Sequence, residues 1–179
     1  SSTAAKFSSA FALGSILFDP VQPDYSNLLS KKAMTAYAFA SRKAGFTQTA
    51  SVKSPYIYAE ENYFDDGELA WASICEMDVI NKSMICGNQM DGLLRIASLE
   101  KITPWLGKDT AKHYQWYPFI NIGHYESAKL LKKYEFIQNR IEGFKKITGY
   151  YKEGIELVWN KAKQNAFYRG IPFIWCSNN

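Results

Sequence analysis

Cysteine and histidine are scarce in this sequence of 179 residues, and each scarcity excludes a class of chemistry. The three cysteines, Cys75, Cys86 and Cys176, form no CxxC pair. That argues against a disulfide framework and against a zinc site, and leaves them as small buried hydrophobes. His113 and His124 are the only histidines. His124 follows Gly123 at a helix start, where capping or packing is its expected role. No apolar run approaches the roughly 20 residues needed to span a bilayer. A net charge of +4 is small. The basic pairs Lys31–Lys32, Arg42–Lys43, Lys132–Lys133 and Lys145–Lys146 are scattered and read as solvated helix faces, so no nucleic-acid partner is expected. No low-complexity tract is present, and no strand-like alternation stands out.

Apolar and aromatic residues are plentiful. Hydrophobic residues make up 47% of the chain, including 12 Tyr, 11 Phe and 5 Trp. Much of that is core, but an excess of Tyr and Trp also suits surfaces that stack on flat ligands such as sugar rings. Helical spacing dominates. Ser2 or Thr3 can cap a first helix carrying Phe7, Phe11, Gly14 and Phe18, ended by Asp19-Pro20 and Pro23. A second helix is expected from about 27 to 44, a third from 67 to 81 and a fourth from 88 to 101, closed by Pro104. A fifth covers 124 to 136. A disruption around Gly143–Gly149 is expected before a sixth at 151 to 164.

Between the helix pairs lie three aromatic loops. "SPYIYAEENYFDD" follows the second helix, "TPWLGKDTAKHYQWYPFINIGH" the fourth, and "GIPFIWCSNN" the sixth. Long irregular loops in a compact domain are often functional. The class is all-α, and the rhythm suits a toroid of antiparallel helices with a cleft built from loops at one rim. About six helices fit, whereas a closed double ring needs roughly twice as many.

Four stretches, "STAAKFSSAFALGSILF", "DDGELAWASICEMD", "QWYPFINIGHYESAK" and "GIPFIWCSNN", occur in an order and spacing that resembles family 9 glycoside hydrolases, the endoglucanases and cellulases with an (α/α)6 barrel. They match that family's "STAA…FAA" helix, "DE…WAAAEL" helix start, "W…GxxxxLA" segment and "WGSN" loop. The resemblance covers essentially the whole chain. Cys176 departs from the usual Gly of "WGSN", and Phe119 stands where a Trp is common. The resemblance implies that residues 1–179 are the central part of a single catalytic domain.

Enzymes of that family invert configuration: a carboxylate base activates water, and a separate carboxylic acid protonates the leaving oxygen. The base comes from a "DxxD" motif ahead of the "STAA" helix and the acid is a Glu near the C-terminus. Both are expected outside this sequence, which by itself should be inactive. The implied contribution is binding surface for a polysaccharide. Trp175 matches a Trp that stacks on a glucosyl ring; Phe119, with Trp116 and Tyr117 beside it, aligns with a stacking position; Asn178 could hydrogen-bond sugar hydroxyls. No cofactor is required. A structural Ca²⁺ is implied by family members that bind it with loop oxygens and the acidic helix start, here Asp66 and Glu68, although Gly67 takes the place of the Asp before Glu68. Acidic residues there also favour the helix macrodipole without any metal. The resemblance further implies an exported protein, whether secreted, periplasmic or on the cell surface. Two alternatives stay open: a non-catalytic helical carbohydrate-binding or scaffold module, and an (α/α)6 enzyme acting on another sugar.

Overall fold

A computed structural model describes residues 1–46, 62–81, 90–104, 106, 108–112, 121–170 and 173–175. These form six helices: α1 (Ser2–Phe18), α2 (Pro23–Arg42), α3 (Phe64–Ile80), α4 (Met90–Ala97), α5 (Ile122–Lys133) and α6 (Arg140–Lys163). Two three-residue strands, β1 (Thr110–Lys112) and β2 (Phe173–Trp175), pair in parallel. The class is all-α, as the helical spacing indicates.

The helices make two rows. In the inner row α1 packs on α3 and α3 on α5. Outside it, α2 lies against α1, α4 against α3, and α6 against α5. Small residues allow the closest of these approaches. The buried stripe of α1 is Ser2, Ala5, Ser8, Ser9, Ala12 and Ser15, at helical spacing. Buried hydroxyls need partners, and these have them. Ser8 Oγ donates to the carbonyl of Ala33 at 2.8 Å, and Ser26 Oγ to that of Ser15 at 2.8 Å. Ser9 and Ser73 share a hydrogen bond of 2.8 Å that ties α1 to α3. The apolar core continues through Trp71, Ile74, Leu93, Leu131 and Ile147.

Two boundaries and a strand pair depart from the sequence reading. Pro23 opens α2 rather than closing α1. At the first helical position an N–H has no intrahelical acceptor, so proline loses no hydrogen bond there, and its fixed φ suits the position. α6 runs unbroken through Gly143 and Gly149. At Gly143 the missing side chain serves packing, since a Cβ would meet Leu94 Cδ2 at 3.2 Å and Leu131 Cδ1 at 3.4 Å. The β1–β2 pair is an addition to the expected helices and loops. It joins the connection after α4 to the segment after α6, with Thr110 opposite Phe173, Ala111 opposite Ile174 and Lys112 opposite Trp175.

Candidate functional site

The first turns of α3 and α5 meet, and the contact is built around one carboxylate. Glu68 is only 1% exposed. Its Oε2 lies 2.7 Å from His124 Nδ1, and its Oε1 accepts from Ser127 Oγ at 3.0 Å. Asn121 Nδ2 adds a long donation to Oε2 at 3.5 Å. An ionised carboxylate this deep is tolerated only when paired and hydrogen-bonded. Asn121 is also the N-cap of α5, its Oδ1 accepting from the backbone N–H of His124 at 3.1 Å. Its carbonyl in turn accepts from Tyr151 Oη at 2.9 Å, which brings in α6. Burial, followed by the charge of Glu68, raises the Tyr151 phenol well above its ordinary range.

Both nitrogens of the His124 ring face acceptors. Nδ1 faces Glu68, and Nε2 faces the carbonyl of Lys101 at 3.2 Å. A neutral imidazole carries one N–H and satisfies only one of these; the imidazolium donates to both. The ring is buried and packs against Tyr150 and Tyr151.

Beside this cluster stands Glu100, 6% exposed, just after α4. Burial, then the charges of Asp65, Glu68 and Asp66, pushes its carboxyl up to about 8. Among the described residues its Oε2 has no hydrogen-bond partner. Glu100 is therefore a protonated acid at neutral pH.

From His124 a cavity of about 710 Å³ opens along α6 and the 101–106 segment. Its walls include Tyr150, Tyr151, Trp159, Phe167, Tyr168 and Arg169. Farther along, Lys161 Nζ reaches Asp109 at 2.9 Å and also the carbonyl of Lys108. Lys161 chiefly, with Arg169 as a weaker influence, holds the Asp109 carboxyl below its usual range. This contact anchors the chain just ahead of β1 to the end of α6.

The residues singled out in the sequence fare differently. The backbone of Trp175 lies in β2, while Phe119, Trp116, Tyr117 and Asn178 fall outside the described residues. Asp66 pairs with Lys6 at 3.4 Å, whereas Glu68 is turned into α5, and the charges of both help to raise the carboxyl of Glu100. Among the described residues no group of three or more His, Cys, Asp or Glu is arranged to hold a metal ion.

Asn121, Ser127, Glu100 and Tyr151 were not legible as site residues. For Asn121 a signal existed, since Asn three residues ahead of a helical N–H is a capping pattern. For Glu100 there was none: a Glu beside a Lys at a helix end reads as solvated.

The family model described as "Glycosyl hydrolase family 9" matches residues 1–178. No curated protein matches the chain, and no solved structure does.

Proposed function

Because the chain belongs to glycosyl hydrolase family 9, we propose that it serves an enzyme cleaving β-1,4-glucan with inversion, and that its part is to build the sugar-binding cleft. The six helices, an inner row backed by an outer one, are a portion of that family's (α/α)6 barrel.

One observation carries the reading of a cleft. The β1–β2 pair ties together the two connections that hold the aromatic candidates. Trp116, Tyr117 and Phe119 follow β1 directly in the chain, and Trp175 ends β2. The pairing sets the chain that leads into Trp116, Tyr117 and Phe119 beside the backbone of Trp175, which supports reading both segments as parts of one cleft. Trp175 is proposed as the platform for a pyranose ring, whose apolar C–H face meets a flat aromatic surface. Phe119, Trp116 and Tyr117 would extend the platform, and Asn178 would bind hydroxyls.

Inversion needs two carboxyl groups separated by room for a water, one acting as base and one as acid. The sequence contains no DxxD motif. Among the described residues the buried acids are Glu68, Asp78 and Glu100, and Glu68 is taken up by contacts between α3 and α5. The reacting carboxylates are accordingly assigned to other residues of the intact protein. No helix among the described residues is long and apolar enough to cross a membrane, and an exported enzyme acting on a polysaccharide is the proposed setting.

Kinetics of the intact protein on cellohexaose test this reading. Trp175→Ala should raise KM about tenfold, roughly the loss of 1 kcal/mol or slightly more of stacking. Binding of cellohexaose without any hydrolysis would instead point to a carbohydrate-binding module, and hydrolysis confined to another glycan would move the substrate.

A further inference from the structure

We propose that one face of α6, carrying Val158 and Lys161, sets the β1–β2 pair in place for glucan binding by holding the lead-in to each strand, with Lys161 as a positioning residue rather than a ligand of the sugar. The inference deepens the glucan reading above and rests on it.

Val158 and Lys161 stand three positions apart and so share a face of the helix. Each takes hold of a different segment. Lys161 Nζ donates to the carbonyl of Lys108 and lies 2.9 Å from Asp109 Oδ1, directly ahead of β1. Val158 receives Gly170, just ahead of β2. A Cβ on that glycine would stand 2.5 Å from the Val158 carbonyl oxygen and 2.6 Å from Val158 Cγ1. Only a hydrogen fits, so the backbone of the second segment lies directly on the helix.

The chain reaches that seat through a tight reversal. After α6 the N–H of Tyr168 donates to the Asn165 carbonyl at 2.9 Å, and the N–H of Phe167 to Asn165 Oδ1 at 2.9 Å. Tyr168 has a φ of 52°, a left-handed conformation that a bulky residue keeps only where its surroundings impose it. Both lead-ins are thus fixed to α6 before the strands begin, and Thr110 falls opposite Phe173.

The two contacts of Lys161 are unequal. The Asp109 side chain is 97% exposed, against 22% for Lys161. An ion pair so open to water contributes little. Donation to the Lys108 carbonyl is what fixes the course of the backbone. A binding surface held in place beforehand loses less freedom when ligand arrives. Loss of the contact should therefore appear in KM rather than in kcat.

Kinetics of the intact protein on cellohexaose, read beside amide hydrogen exchange, test the proposal. Lys161→Met should raise KM about fivefold and leave kcat nearly unchanged. Lys161→Arg, which keeps the charge and the donors, should restore most of the loss, and Asp109→Asn should stay within about twofold of the unaltered protein. Residues 110–112 and 173–175 should lose exchange protection together in Lys161→Met, and Gly170→Ala should expose 173–175. A KM unmoved by Lys161→Met, a loss confined to kcat, or an equal rise in Asp109→Asn would overturn the proposal. If the unaltered protein leaves cellohexaose uncut, the glucan reading fails by itself and exchange alone decides the role of Lys161. Unchanged protection of either segment in Lys161→Met would then overturn it.

Discussion

Gly123 lies directly against Glu68: a Cβ placed on the glycine would come within 2.9 Å of Glu68 Cβ, and within 2.9 Å of the Asp65 carbonyl oxygen. The inner helices α3 and α5 approach at a point where only a hydrogen fits. Gly123→Ala must therefore push the two first turns apart and stretch the Glu68–His124 contact. A cost of about 2–3 kcal/mol is expected, at the upper end for overpacking. Gly149→Ala is the control. Nothing lies within 4 Å of its added Cβ, and a helix interior gains up to about 1 kcal/mol from the exchange. Urea unfolding of the two variants should give shifts of opposite sign.

Removing the partners of Glu68 should also destabilise the junction. Ser127→Ala takes one donor from Glu68 Oε1, an expected loss of about 1–2 kcal/mol. His124→Ala leaves the buried Glu68 carboxyl without its shortest hydrogen-bond contact, and a loss of about 1–3 kcal/mol is expected. The two effects should not add, because both act on the same carboxylate. A double-mutant cycle by denaturant unfolding measures the difference.

Glu100 gives the pH dependence a definite sign. Its folded-state pKa, about 8, lies above the ordinary carboxyl value of 4.5. Between those values the folded state holds a proton that the unfolded chain releases. Stability from this group is thus fully present below about pH 4.5 and falls as pH rises towards 8, by up to about 1.4 kcal/mol per pH unit. Glu100→Gln, which cannot ionise, should flatten this slope and be more stable than the unaltered protein above pH 8. Tm measured across that range in both proteins checks it.

Much of the helical frame was legible because it depends on spacing. Leu29 and Ala33 recur at the helical period and lie on the buried face of α2. Where one residue type serves two purposes, the sequence misled. Pro23 reads as a helix stop but starts one, and Gly143 reads as a break although its role is to admit Leu94 and Leu131. The strands, three residues each, are too short to show an alternating period. At the site, Asp66 and Glu68 looked like a shared acidic cluster at a helix start. The partner that Glu68 takes, His124, lies on another helix far along the chain. Pairings of that kind leave no local mark in a sequence.

The stereochemistry of hydrolysis tests the central claim most directly. Cellohexaose cleaved by the intact protein and followed at once by proton NMR should show the α-anomer of the new reducing end first, with the β-anomer growing in only by mutarotation. A β-anomer appearing first would mean retention, and would contradict the assignment of this chain to an inverting β-1,4-glucan hydrolase.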